Sequence, residues 1–478
     1  MIYPRFQATV QKVPASAKYR RTTGWLLWLG AGLVTVQAQA QSLKLSQVVE
    51  QSTRQYPFLK SKQAEISSAE RRLQASRVEY LPSLIVQDQY NYATSNSLNG
   101  SFFPNEGTAI STSGGVRATA VSKASFGSYT SAAIEWRAIT FGRIKANVAV
   151  ADAELQRSRI DYDNELFQHQ VRTIDAYLLL LINQKLVQIQ RSNLERAQTF
   201  KRVVDSGVQS GMRAGVDSSL ATAEAVRARI LLLESQQQEQ VQRLRLSELT
   251  GQLQRNIQVD SMRFYTALPT GASLSDSISP KNPVLRLFQS QIALSSARSV
   301  ATQRTSLPVI SLVGVGNARG SGFSNQGDIF LNNQINGLGY QVSNYLVGVV
   351  ARWNLTNILR VRHDYRSELF QVERFRQLYN EQQLRINRQY QEAETQYQVA
   401  LEQARQAPIQ LRAARQAYNQ AKSRYESGLT DLPTLLQSVV TLNRAEVDGY
   451  VATSNVWRFL LLKAAADGDL SLFMNQVQ

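Results

Sequence analysis

Residues 57–82, PFLKSKQAEISSAERRLQASRVEYLP, lie without a gap on residues 283–308, PVLRLFQSQIALSSARSVATQRTSLP, at a constant offset of 226. Eight of the 26 positions are identical: the two proline pairs, Leu59/Leu285, Gln63/Gln289, Ile66/Ile292, Arg72/Arg298, Ala75/Ala301 and Leu81/Leu307. Further on, Trp136 answers Trp353 at an offset of 217, and Ser206-Gly207 answers Ser427-Gly428 at 221. Anchors recurring in one order mark a duplicated unit, so the fold is read as one supersecondary motif used twice.

Each unit reads helix, strand, long loop, strand, very long helix, turn, helix. Leu84, Val86, Tyr90 and Tyr92 alternate with polar residues, as do Tyr345, Val347, Val349 and Trp353. TSAAIEWR (130–137) and VISLVGVGN (309–317) supply the other strand of each unit. Strands are expected around 83–93, 128–138, 309–317 and 343–353, each about the ten residues that a tilted membrane crossing needs. Residues 94–127, tipped by Phe102-Phe103-Pro104, and residues 318–342 read as long loops on one side, with the helices leaving from the other. Tyr90, Tyr92, Trp136, Tyr345 and Trp353 lie at or near strand ends, where an interfacial girdle would place them.

Four strands cannot close a barrel. An open sheet in lipid leaves unpaired edges, and bacterial barrels start at about eight strands, so membrane insertion demands two or three copies. The competing reading is a non-transporting periplasmic scaffold of coiled-coil hairpins, whose strands form a small soluble sheet without a continuous apolar belt.

From Phe141 to Asp205 there is no proline and one glycine, about 65 residues that would reach roughly 100 Å. Asn357 to Ser427 is similar, with Pro408 expected to kink it. Leu435, Val439, Leu442, Ala445, Gly449, Ala452, Val456 and Phe459 form a seam with a small-residue middle. The expected organisation is a signal peptide at 1–40, a first repeat at 41–250 with its helical hairpin at 141–248, an equatorial linker at 251–282, and a second repeat at 283–478 with its hairpin at 357–467.

The first forty residues hold five basic residues and no acid, an apolar run from Gly24 to Val36, and Ala38-Gln39-Ala40, the pattern of a cleaved export signal. The 478 residues carry 53 Lys and Arg against 36 Asp and Glu, but the basic residues are scattered among Gln and Glu on helices, which argues against nucleic acid. With no cysteine and only His169 and His363, thiolate metal sites and Cys nucleophiles are excluded. The run from Gly314 to Gly320 spaces its glycines wrongly for a dinucleotide loop and reads as a flexible loop following a strand. No catalytic residue, cofactor or metal site is assigned.

The duplicated plan, together with NPVLRLFQSQIALSSAR, GMRAGVDSSLATAEAVRARI, GLTDLPTLLQSVVTLNRAEVD and NVWRFLLLKAAADGDLSLF, resembles the TolC family of outer-membrane efflux proteins, in particular members from the Bacteroidetes lineage. The resemblance covers nearly the whole chain after the signal. It implies a mainly α fold with transmembrane β: a homotrimer whose twelve strands form one barrel in outer-membrane lipid, continued by a long periplasmic α-helical barrel. It also implies passive export, with a periplasmic adaptor and an inner-membrane transporter of RND or ABC type as partners, serving efflux or type I secretion.

In this family the periplasmic end closes where the hairpins turn. The implied tips are Ser206-Gly207 through Gly211 to Gly215, and Ser427-Gly428 to Pro433. Some members place aspartates six and nine positions after the second-tip glycine; here those positions are Thr434 and Gln437, so that acidic ring is absent. Asp217 matches a family aspartate in gate-holding contacts, with Arg213 and Asp431 as nearby candidates; a helix N-cap role for Asp217 is equally sufficient chemically. The first tip carries four more residues before Asp217 than the simplest family version.

Overall fold

The computed structural model describes residues 44–94, 122–251, 259–260, 262–269, 281–323 and 334–477, all within one unit, Ser42–Gln478. The expected signal segment, the Phe102-Phe103-Pro104 loop tip and parts of the linker lie outside the described residues. In chain order the first half contains α1 (Leu45–Gln55), α2 (Pro57–Val78), β1 (Ser83–Thr94), β2 (Ala124–Ile139), α3 (Arg143–Gln209), α4 (Gly215–Leu249) and α5 (Met262–Thr266). The second contains α6 (Pro283–Arg304), β3 (Val309–Ser321), a 3-10 turn (Gln334–Leu338), β4 (Val342–Arg352), α7 (Asn357–Glu426), α8 (Leu432–Asp467) and α9 (Ser471–Val477).

Local chemistry explains the matching starts. Pro57 and Pro283 each stand in the first turn of α2 and α6, where a missing N–H costs nothing and φ is already helical. Asn282 caps α6 by accepting the Val284 N–H at 3.0 Å. At the far ends of these helices the indole N–H groups of Trp136 and Trp353 donate to the carbonyls of Tyr80 and Ser306, both at 3.0 Å. Both the tryptophans and their acceptors are repeat equivalents, so the sequence duplication survives as a duplicated tether between sheet and helix.

The α3 and α7 helices have 67 and 70 residues, and α7 continues through Pro408 as one helix. The expected seam on α8 is used within the chain: Leu435, Val439, Leu442, Ala445, Ala452 and Val456 are buried. Its small middle permits close approach, since a Cβ added at Gly449 would lie 4.0 Å from that of Ala407. The main core gathers Ile174, Tyr177 and Leu181 of α3, Trp457, Leu460 and Leu461 of α8, Phe264 of α5 and Phe473 of α9. Phe264 meets Trp457 edge-on at 5.1 Å, so part of the expected linker is a short helix that packs into this core.

The four strands form one antiparallel sheet in the order β1-β2-β3-β4. Three expectations change here, the first being that β2 begins at Ala124, inside the loop expected at 94–127. The glycine-rich run from Gly314 to Gly320 belongs to β3 rather than to a loop, and the loop expected at 318–342 gives up its first residues to β3 and contains the 3-10 turn.

Candidate functional site

Register divides the sheet into two chemically distinct faces, because cross-strand partners share a face and neighbours along a strand do not. One face carries the rows Leu84/Ile134/Gly314/Val347, Val86/Ala132/Gly316/Tyr345 and Asp88/Thr130/Ala318/Ser343. The other carries Ile85/Ala133/Val315/Leu346, Gln87/Ser131/Asn317/Asn344 and Gln89/Tyr129/Arg319/Val342. Tyr345 and Val347 on the first face are 87% and 82% exposed, whereas Tyr129 and Val315 on the second are 8% and 7%. The sheet therefore curls toward the second face. Its convex side is apolar from the Trp136/Leu312/Val349 row to the Val86/Ala132/Gly316/Tyr345 row and polar at the Asp88 row, while its concave side is polar beyond the Ile85/Ala133/Val315/Leu346 row, the opposite of a soluble sheet packed on a core.

Tyr90, Tyr92, Trp136, Tyr345 and Trp353 are all exposed. Trp136 and Trp353 mark the helix end of the belt, and Tyr90 and Tyr92 the loop end; Tyr345 stands further in, in the Val86 row. The convex carboxylate, Asp88, is satisfied by the Thr130 hydroxyl at 2.5 Å and the Tyr340 hydroxyl at 3.2 Å.

At the other extreme of the helices lie the two hairpin turns. α3 runs past Ser206 and Gly207, which are helical, and ends at Gln209. The closing glycine is Gly211, with φ 71°; the Gly211 N–H donates to Val208 and the Met212 N–H to Gly207. The second turn repeats this with Gly428, φ 74°, the Gly428 N–H donating to Tyr425 and the Leu429 N–H to Arg424. Both are Schellman closures. Ser210 and Ser427 also match, each donating its hydroxyl to the carbonyl four residues back at 3.0 Å. The tips are thus equivalent at an offset of 217, the same as the tryptophans, and the pairing of Ser206-Gly207 with Ser427-Gly428 is corrected. The two turns are equal in length, Ser210–Ala214 and Ser427–Asp431, so the four additional residues counted before Asp217 disappear once the closing glycine is Gly211 rather than Gly207.

Their anchoring differs. Asp431 is the N-cap of α8 and accepts the Thr434 N–H at 3.2 Å, with Pro433 in the first turn. The hydrogen bonds from Thr434 hold the Asp431 carboxyl below the usual carboxylate range. The equivalent N-cap of α4 is Ala214, which has no side-chain acceptor, so the capping role considered for Asp217 is corrected: Asp217 is a half-buried residue inside the first turn. The α4 start is instead tied to α3 by Ser218, whose hydroxyl donates to Asp205 at 2.6 Å, while Lys201 reaches the same carboxylate at 2.5 Å. Those contacts, Lys201 first, lower the Asp205 pKa.

Arg213 joins the turns. Its guanidinium carbon sits 3.9 Å from the ring centre of Tyr425, and Nη2 donates to the Tyr425 carbonyl at 3.4 Å. Among the described residues no ion pair joins Arg213 to Asp217 or Asp431. Gly207 makes room, since a Cβ there would come within 2.8 Å of the Arg213 Cδ. Tyr425 is 2% exposed, packs on Phe200 at 5.5 Å, and has its phenol pushed up chiefly by burial. Beside it lies a groove of about 470 Å³. The groove includes Glu224, whose carboxyl is raised by burial, and is flanked by the Arg196–Glu446 pair at 2.7 Å. Thr434 and Gln437 are exposed, one turn apart on α8. Tyr425 and Phe200 escaped the sequence reading; an aromatic one residue before the helix-ending Glu426 was the available signal.

A repeat with an apolar convex sheet and long hairpins leaving from one end defines a class of outer-membrane transport proteins. The sequence matches the outer membrane efflux protein family over residues 48–252 and 274–456, and the chain belongs to that family. Its place is the outer membrane, with a part in the periplasm. The fold matches the solved outer-membrane channel OprN at 20% identity and TM-score 0.71, covering 89% of each chain. VceC, an outer membrane protein of Vibrio cholerae, matches at 14% identity and TM-score 0.71, covering 89% of this chain and 96% of that one. The CmeC outer membrane channel of Campylobacter jejuni matches at 14% identity and TM-score 0.70, covering 89% and 85%. At such identities the likeness is one of fold. No curated protein sequence matches the chain.

Proposed function

We propose that three copies of this chain close one twelve-stranded barrel, continued by a twelve-helix periplasmic tunnel, and that the trimer is the passive exit duct of a tripartite export system. The observation that carries this is the sheet itself. Among the described residues β1 has one strand neighbour, β2, and β4 has one, β3, so these two strands are the outer edges of an open sheet, and hydrocarbon does not tolerate an open edge. A second copy satisfies the β4 edge with its β1, and the apolar convex side then faces lipid. An exposed stripe on α4, Val226, Ile230, Leu233, Val241 and Leu244, offers the helices a matching seam to a neighbour.

The exposed Met212, Val216 and Leu429 at the turns suit an adaptor docking there. The inner-membrane partner is of RND or ABC type, and genes neighbouring this one would tell drug or ion efflux from protein secretion. Arg213 on Tyr425 is the contact that holds the turns closed, with Asp431 capping the first turn of α8 and the Ser218–Asp205 hydrogen bond fixing that of α4. The native mass of the protein extracted in detergent from outer-membrane fractions tests the assembly: three chains support it, and a monomer released without detergent refutes it.

A further inference from the structure

The groove beside Tyr425 is walled by all four long helices: Phe200 of α3, Ala221 and Glu224 of α4, Tyr418 of α7, and Leu435 and Val439 of α8. Its 470 Å³ falls within the range of about 300–1,000 Å³ that small-molecule sites occupy. The walls are mostly aromatic and aliphatic, so the few polar groups decide what fits. Its cations are already engaged: Arg196 with Glu446 at 2.7 Å, Arg213 with the Tyr425 ring, and Lys422 with Glu426 at 3.9 Å. Glu224 is held differently. Its side chain is 14% exposed, and among the described residues its ion pair is with Arg227, 3.9 Å away on a side chain that is 61% exposed. A pair so long and so wet contributes little, and burial raises the Glu224 pKa, the mark of a carboxylate desolvated without compensation. A cation seated in the groove would supply the compensation. Glu195, exposed where α3 borders the groove, adds the same sign.

We propose that this groove is a binding site for a small organic cation with an aromatic body, its ammonium on Glu224 and its rings against Phe200 and Tyr418, and that occupancy holds the two turns together. The walls come from both hairpins, so the site is complete only while the hairpins lie side by side. A ligand that binds one arrangement better than another shifts the population toward it. The inference rests on the reading of the turns as the closing end of the duct.

The test is equilibrium dialysis of the full chain in lipid nanodiscs, empty discs subtracted, against three probes of one shape: 1-naphthylmethylamine, 1-naphthylmethanol and 1-naphthoate. Saturable binding of the amine is expected, about tenfold tighter than the alcohol, with the naphthoate weakest. Glu224→Gln should weaken the amine about tenfold and leave the alcohol unchanged. Val203→Trp, at a lining position that is 54% exposed, should exclude all three. Hydrogen exchange should slow at least about threefold at both turns when the amine saturates the unaltered protein. No saturable binding, a preference for naphthoate, or indifference to Glu224→Gln overturns the proposal. Slowing at one turn alone overturns the claim that the ligand holds the turns together. If no probe binds yet Val203→Trp abolishes export in cells, the groove belongs to a protein partner and the proposal falls. Binding and exchange are read without current, so an Arg213→Ala current equal to that of the unaltered protein would remove the closing reading separately.

Discussion

The turn between α3 and α4 and the turn between α7 and α8 share length, serine, glycine and backbone closure, yet they are held by different side chains. The second is self-sufficient, its helix start capped by its own Asp431. The first lacks a cap and relies on α3 through Asp205 and on the other hairpin through Arg213. Duplication has preserved what the backbone requires, a residue tolerant of positive φ, while the side-chain contacts around the turns have diverged. Only the first turn reaches across, so it is the one whose loss should free the pair.

The largest effect is therefore expected from Arg213→Ala. Stacking of a guanidinium on a buried ring contributes about 1–2 kcal/mol, so its loss should raise the open fraction, read as bilayer current or antibiotic influx, about tenfold. Charge reversal at Asp217 should change leak by less and leave assembly intact. An unchanged current in Arg213→Ala would remove the cross-hairpin contact from the closing mechanism.

Next come Gly211→Ala and Gly428→Ala. Nothing lies within 4 Å of either added Cβ, so each should cost only the backbone penalty of about 1–2 kcal/mol. Hydrogen exchange at the two turns should accelerate about equally; a marked inequality would break the likeness. The caps sharpen the contrast: Asp431→Ala should loosen the first turn of α8 by about 1 kcal/mol, and Ala214→Asp should tighten α4 by a comparable amount.

The smallest effect is the response to acid. Asp205 and Asp431 both have depressed pKa values in the folded protein, so their stabilisation is complete above the ordinary carboxylate pKa of about 3.9 and is lost as pH falls through the folded values. Glu224, raised by burial, protonates first and contributes in the opposite sense. Turn protection should thus hold from neutral pH to about 4 and decline below it, and Asp205→Asn should remove the first turn's share of the decline.

Much of this architecture is visible in the sequence because the physics that enforces it is periodic. Leu84, Val86, Tyr90 and Tyr92 mark β1 because every second residue must face lipid or water. β2 begins earlier than its alternation shows, since Ala124, Ser125 and Gly127 are too small to declare a face, and β3 extends through Gly316, Ala318 and Gly320 for the same reason. The turn was misread at Ser206-Gly207 because a helical glycine looks like a helix-ending one. What separates them is Arg213 folding back over Gly207, a contact between residues six apart that no local pattern announces. The cation-π pair of Arg213 and Tyr425 spans 212 positions and could emerge only once the hairpins were placed side by side.

The open edges at β1 and β4 also have a genetic consequence. On the trimeric reading, each copy must offer a sound edge to both neighbours, so a single copy with a spoiled edge prevents ring closure. A cell expressing equal amounts of intact chain and an edge-broken variant, for instance one with proline inside β4, would retain about one-eighth of its barrels. Such an allele would behave as dominant negative, whereas a deletion of the gene would be recessive.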